Sequence, residues 1–497
     1  MPTFLSQRLK NKRLFKQKYE IGIVGISILF ILTNGWFTVG NEFLFNALPI
    51  LLFSLVFLLF SVKQLFYALV FLVPLSVPLY RLVPGLTFDF WFPTEPIIFS
   101  ILVILILKSI KERYFDHRLT GHPVFWAIVF YLAWLMICIV PSEMPLVSAK
   151  YLLVRIWFIA VFFYLGFTLF KSDSKYFKYF LWAFVFGLFV VVTLTLIKHI
   201  GRGIFDQKQA HGACAPFFID HTSYGATIAF LIPMVIGFIF ISESKFKKLL
   251  FLFLSIFFVI ALVFSYSRAA WLSILVAGII WFIWYIRIKF SIVAAGFILT
   301  LALFFSFQFE IKQWLSSNTT DSSGNLKEHL NSALNVSTDA SNLERINRWN
   351  SAIRMFEERP IFGWGPGTYM FCYAPFQRSY DRTIISTNFG TGGNAHSEYL
   401  GLLAEAGVLG AVSYVLILLI VFFRGFSISR KIKERKYRVL LMGALLGLIT
   451  YTVHGVLNDF LDSDKIATPF WGFIAFIVVQ DIRYKFGKSE DLEKFES

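Results

Sequence analysis

The sequence predicts an all-α fold, a polytopic membrane helix bundle, on three observations. Of 497 residues, 57% are hydrophobic and only 15% charged, a balance that suits lipid better than water as the solvent. Apolar runs of about 18 to 22 residues, long enough to cross a hydrocarbon core as helices, recur from end to end. The basic residues lie in the short stretches between those runs, where they set topology. Together these give about 12 to 14 transmembrane helices.

In order, the apolar runs lie near residues 21–39, 43–62, 64–82, 93–109, 122–141, 151–170, 176–197, 222–242, 248–266, 269–286, 291–309, 397–423, 438–458 and 466–482. A leader, 1–20, carries Arg8, Lys10, Lys12, Arg13, Lys16 and Lys18, which the positive-inside rule places in the cytoplasm. No small-residue cleavage pattern follows the first run, which is expected to stay as a signal anchor. Counting spans from there, the inner loops hold Lys108, Lys111 and Arg113, then Lys171, Lys175 and Lys178, then Lys245, Lys247 and Lys248, then Arg287 and Lys289. The last two inner segments hold Arg430, Lys431, Lys433, Arg435, Lys436 and Arg438, then Arg483, Lys485 and Lys488. The main exception is an outer loop, 198–221, with Lys198, Arg202 and Lys208 against Asp206 and Asp220. The chain thus divides into the leader, an N-terminal bundle 21–309 of about eleven spans, an extracytoplasmic loop 310–395, C-terminal spans 396–483 and a cytoplasmic tail 484–497.

Several function classes fall away. The net charge of +16 is spread over topological loops, so nucleic-acid binding is not expected. Cys138, Cys214 and Cys372 lack metal-ligand spacing. Cys214 and Cys372 fall in outer loops, where a disulfide is permitted without being required. No phosphate-binding loop with its Lys and Ser/Thr is present, which disfavours ATP hydrolysis.

A connection as long as 310–395 in a chain of short loops is usually functional. Its SSNTTDSSGN, 316–325, reads as a linker. In SNLERINRWNSAIRMFEERP, 341–360, Ser341 and Glu344 fit a capping box and Pro360 a stop. At 100° per residue Ile346, Trp349, Ile353 and Phe356 share the apolar face, Arg345 borders it and Arg354 points away. FGWGPGTYMF, 362–371, has glycines that permit a tight turn or close backbone approach to a ligand. In GGNAHSEYLGLLAEAGVLG, 392–410, Asn394 as N-cap would put His396 in a first helical turn. There the helix dipole would keep the imidazole neutral and favour a nearby anion. An interfacial histidine satisfying one hydrogen bond is the other reading. Glu405, about two turns further on, marks a polar interior. Arg268, between two apolar runs in FSYSRAAWLS, suits either bidentate phosphate binding or a snorkelling anchor.

Three stretches, SYSRAAW, ERINRWNSAI followed by RPIFGWGPGTY, and NAHSEYLGLLAEAGVLG, resemble the O-antigen ligase and polymerase superfamily over roughly residues 210–430. Members of it transfer glycans from undecaprenyl diphosphate at the outer face of the cytoplasmic membrane, without nucleotide sugar, metal or other cofactor. The resemblance implies His396 as the catalytic group and Arg268 and Arg345 as diphosphate ligands. Glu398, Glu405, Arg348, Gly365 and Gly367 lie where they could support them. The implied partners are a lipid-linked glycan donor and a glycan or lipid A core acceptor. Guanidinium groups would stabilise the leaving diphosphate and His396 would take the acceptor proton, in an inverting displacement. The motifs are shared by ligases, polymerases and protein O-oligosaccharyltransferases. A transporter or flippase competes from outside the family, but the polar residues gather at one face and no paired broken helices are evident.

Overall fold

The computed structural model describes residues 62–81, 91–112, 116–288, 340–382, 386 and 393–486. Phe66–Pro78 and Trp91–Ser497 form one compact unit, which carries the features that follow. Of the other, Met1–Leu65 with Leu79–Phe90, only 62–65 and 79–81 are described. Among the described residues, eight helices have the length and apolarity to cross a bilayer. The chain is an all-α, multi-pass membrane protein.

The first described helix, α1 (Val62–Leu72), stops well short of the span expected at 64–82. Pro74 and Pro78 lack amide hydrogens for a continuing helix, and Val77–Pro78 (β1) instead pairs antiparallel with Trp91–Phe92 (β2). Then follow α2 (Thr94–Glu112), α3 (Pro123–Cys138), α4 (Pro145–Ser172), α5 (Lys175–Arg202) and a short α6 (Gln207–Ala213). Next are α7 (His221–Ile241), α8 (Lys245–Val263) and α9 (Arg268–Tyr285). The last four are α10 (Ala340–Glu358), α11 (Glu398–Ser429), α12 (Arg435–Leu457) and α13 (Asp464–Phe486). Apart from α6 and α10 these answer the apolar runs from 93–109 to 269–286 and from 397–423 to 466–482. The runs 21–39 and 291–309, all but the last residue of 43–62, the basic leader and the 316–325 linker lie outside the described residues.

Alternation of the spans puts the starts of α4, α7, α9, α11 and α13 at one end of the bundle. Contacts tie that end together: His221 Nδ1 lies 2.8 Å from Ser265 O, and Glu143 N donates to Trp364 O at 3.1 Å. The other end holds Lys171, Lys175, Lys245, Arg430 and Arg435, the basic loops that the sequence puts on one side. There His122 Nε2 and Arg424 Nε converge on Asp481 Oδ2 at 2.9 and 2.6 Å.

The centre of the bundle is α13, whose apolar window is wholly buried. Its first turn is a polar clamp. Asp464 Oδ2 accepts from Ser76 Oγ and Thr94 Oγ1 at 2.8 and 2.7 Å, and Lys465 Nζ donates to Ser76 Oγ at 2.6 Å. The β1–β2 hairpin is thereby fastened to α13, and the buried charges have the partners that such a site demands. Helix α12 lies close along α7 because small residues line the contact. A Cβ on Gly447 would lie 2.7 Å from Phe230 O. All three cysteines are free thiols.

Gly447→Ala is expected to destabilise the bundle by about 1 to 3 kcal/mol through overpacking. Gly201, where an added Cβ meets nothing within 4 Å, serves as the control. Thermal unfolding of the full chain in detergent should show a lowered midpoint for Gly447→Ala and none for Gly201→Ala.

Candidate active site

Helix α10 does not bury the face that its periodicity suggests. Glu344, Asn347, Arg348 and Ser351 are buried, whereas Ile346 and Ile353 are 37% and 40% exposed. The polar residues find partners inward: Glu344 Oε1 accepts from Arg348 Nε at 2.7 Å, and Asn347 Nδ2 donates to Gln377 Oε1 at 2.8 Å. The Ser341 side chain, on which the expected capping box depends, lies outside the described residues. The second oxygen of Glu344 accepts from Ser386. Arg348 lies with its guanidinium 4.0 Å above the Tyr373 ring. Arg354 leaves the site as expected but is not a solvent residue: Nη2 sits 2.6 Å from Asp381 Oδ2, and Nη1 donates to Phe376 O at 2.7 Å.

One turn after Arg345, the Trp349 Nε1 donates to His396 O at 3.2 Å. His396 N donates to Asn394 Oδ1 at 3.1 Å, and Asn394 Nδ2 donates to Asp459 O at 2.9 Å. Both backbone groups of His396 are thus pinned by side chains. The pinning holds it at φ +50°, a left-handed conformation that costs a non-glycine residue about 1 to 3 kcal/mol. The N-cap of α11 is Ser397, whose side chain accepts from Leu400 N, not Asn394 as its position suggested. His396 precedes the helix. Its pKa falls to about 4 because burial opposes the charged form, with the Arg345 and Arg348 charges adding to it. It is neutral, as expected, but through burial and arginine more than through a dipole.

Arg345, half-buried, is the common electrostatic neighbour of His221, His396 and His454. Asp220, which caps α7 by accepting from Ser223 N at 2.7 Å, also reaches His396 and His454. Burial pushes the Asp220 carboxyl up, but the hydrogen bonds from Ser223 and Thr222 outweigh it and hold it below the usual range. The sequence reading passed over Asp220, His221 and His454. The first two lie in the outer loop whose charges broke the topological pattern, the signal that could have found them. Arg268 opens α9 directly after its cap Ser267, beside the start of α7, where a Cβ on Gly225 would lie 2.8 Å from Ser267 Cβ. The starts of α9 and α11, capped by the neutral Ser267 and Ser397, present partially positive ends that favour an anion, whereas the start of α7 already carries the Asp220 carboxylate.

Glu398, Glu405, Gly365 and Gly367 do not join this cluster. Glu398 faces the 458–461 turn, accepting from Leu461 N at 2.7 Å and from Tyr451 Oη. Glu405 faces the 360–369 turn, its carboxylate accepting from Gly367 N and Tyr369 N, both at 2.9 Å. Around it α11 breaks at Gly407, φ +67°, and the 360–369 turn docks into the break. Val408 N donates to Pro360 O at 3.0 Å, Trp364 N to Ala404 O at 3.0 Å and Gly365 N to Glu405 O at 2.8 Å. The glycines allow close packing within the protein, Gly363 against backbone and Gly365 against a side chain. A Cβ on Gly363 would lie 2.4 Å from Glu405 C, and one on Gly365 2.0 Å from Ser142 Oγ. A further residue hidden in the apolar run 151–170 is Arg155, 1% exposed, with Nη2 2.6 Å from Asp462 Oδ1 and 2.7 Å from Tyr151 Oη. It ties α4 to the 458–463 turn from below.

Glu405→Ala leaves two amides without their acceptor, at about 1 to 3 kcal/mol each. It and Gly363→Ala should speed protease cleavage within 360–369. Arg354→Ala should speed cleavage only near 376–382. Cleavage at wild-type rates in all three variants would mean that these contacts do not hold the loop.

The family model described as O-antigen ligase matches residues 251–415. That stretch begins in α8 and runs through Arg268, Arg345, Trp349 and His396 to the docked break in α11. No curated protein matches the chain. Over that stretch, about a third of its length, the chain is similar to the O-antigen ligase family, and its eight candidate spans fit a multi-pass membrane protein.

Proposed function

We propose that the chain transfers a glycan from undecaprenyl diphosphate to an acceptor hydroxyl, as an O-antigen ligase with lipid A core as acceptor, at the outer face of the inner membrane. The observation that carries this reading is the convergence of a neutral, backbone-pinned His396, the Arg345 charge and the serine-capped starts of α9 and α11. The basic loops at the far end support an outward-facing site through the positive-inside rule.

In the reaction, the anomeric C–O bond to the diphosphate breaks as the acceptor oxygen bonds to that carbon. The electron pair leaves with undecaprenyl diphosphate. Arg345, Arg268 and the helix starts stabilise its growing negative charge. His396 takes the acceptor hydroxyl proton. The arginine charges that depress the imidazole in the free protein are offset when a diphosphate binds beside them, so its basicity rises with the donor in place. The step is a single inverting displacement and routes nothing through a metal.

With purified protein, a carrier-linked donor and acceptor, His396→Ala should lose at least about 100-fold in rate. Arg345→Lys should be strongly impaired, because lysine lacks the planar fork. The acid limb of kcat/KM, which reports the free enzyme, is expected near pH 4. The acid limb of kcat should lie higher, since the bound diphosphate favours the protonated ring. Coincident limbs would remove the electrostatic link between donor and His396. In cells lacking the chain, full-length polymer should remain on the carrier; accumulation of single repeat units would mark a polymerase instead.

A further inference from the structure

We propose that the end of the bundle opposite His396 carries a binding site for an anionic phospholipid, seated between α7, α9 and α12. A groove of about 910 Å³ opens there, with Ile236, Ile274 and Leu446 among its apolar walls. Arg287, Arg430, Arg435 and Arg438 stand at the end of the groove where those helices meet their basic loops. From Ile274 to Tyr285 the wall follows α9 for about 16 Å at 1.5 Å per residue, enough to cover one leaflet, about half of a 30 Å hydrocarbon core, and Arg287 lies just past the helix end. Trp281, Trp284 and Tyr285 mark the headgroup level, where aromatic residues collect. The rim is fixed in part by the protein itself, since Trp284 Nε1 donates to Ser429 Oγ at 3.0 Å and Arg430 Nη2 donates to Trp284 O at 3.4 Å.

The charge selects the occupant. No carboxylate is among the described lining residues. Glu434, which lies between two of the arginines in sequence, lines a separate pocket with Lys431, Lys433 and Tyr437. Four guanidinium groups at the mouth of an apolar groove repel one another until an anion binds, and phosphate matches their fork geometry. Basic pockets between spans suit anionic headgroups of this kind. A zwitterionic lipid brings its own cation and suits the rim less well. The nearest segment of the chain that could fill an apolar groove, 291–309, has no carboxylate and so offers the arginines nothing. This inference is independent of the proposed reaction.

The test is native mass spectrometry of the full chain, purified in detergent, stripped of lipid and titrated with phosphatidylglycerol, cardiolipin or phosphatidylcholine. The two anionic lipids should be retained at least about tenfold better than phosphatidylcholine. The quadruple variant R287Q/R430Q/R435Q/R438Q should lose that preference. Because removing four charges can disturb insertion, Gly278→Leu provides a second arm. A Cβ at Gly278 meets nothing within 4 Å, so leucine fills the groove while every arginine stays, and anionic lipid retention should fall. Equal retention of phosphatidylcholine would overturn the proposal, as would unchanged binding by both variants. A disulfide between Gly278→Cys and a cysteine placed in 291–309, with no lipid retained, would overturn it by showing the groove filled by the chain.

Discussion

A helix broken inside a membrane leaves backbone groups that lipid cannot satisfy, and the candidate site depends on how the chain satisfies those of α11. The break at Gly407 frees the carbonyls of Ala404, Glu405 and Ala406. Trp364 N and Gly365 N take the first two, while Trp134 Nε1 donates to Ala406 O at 2.8 Å. The Glu405 side chain returns the favour by accepting two amides of the same turn. Since this turn follows α10 directly, fastening it into α11 also fixes where α10 lies. Only then can Trp349 reach the carbonyl of a residue 47 positions away in sequence.

The spacing of Arg345 and Trp349 has a direct reading in that geometry. Residues four apart share a helix face, so one side chain bears on His396 electrostatically while the other holds its backbone. The left-handed His396 and the left-handed Tyr266, φ +53° just before Arg268, place two strained residues beside two arginines. Strain of this sort persists only where surrounding contacts over-determine it. Tyr266 has such contacts, being 2% exposed with its hydroxyl donating to Ile204 O at 3.0 Å.

The spans were legible because about twenty apolar residues between charged loops admit few structures other than a membrane helix. The run 64–82 misled because its two prolines carry no charge to interrupt an apolar run, yet end helices. The sequence singles out His396 and Arg268 as polar residues at the ends of apolar runs, and Arg345 as the arginine bordering the apolar face of a loop helix. The packed face of α10 was read backwards, because the rule that apolar residues turn inward assumes water outside. At a membrane protein's polar site Glu344, Asn347 and Arg348 are the residues that need company. Arg155 was hidden because one arginine barely lowers the hydropathy of the run around it. Its partner Asp462 stands more than 300 residues later, a pairing that no local pattern carries.

The outward edge of α10 carries a consequence of its own. Leu343, Ile346 and Ile353 are exposed along it, and Ile361 and Phe362 continue the row into the docked turn. Apolar side chains in such a row rest on acyl chains at the boundary of the hydrocarbon. Among the described residues the helix that presents Arg345 is held by protein along Glu344, Asn347 and Arg348 and leaves this apolar edge uncovered. Lipid seated against that edge would refer the height of Arg345 relative to His396 to the bilayer surface, and a change in membrane thickness would then act on the alignment of the site.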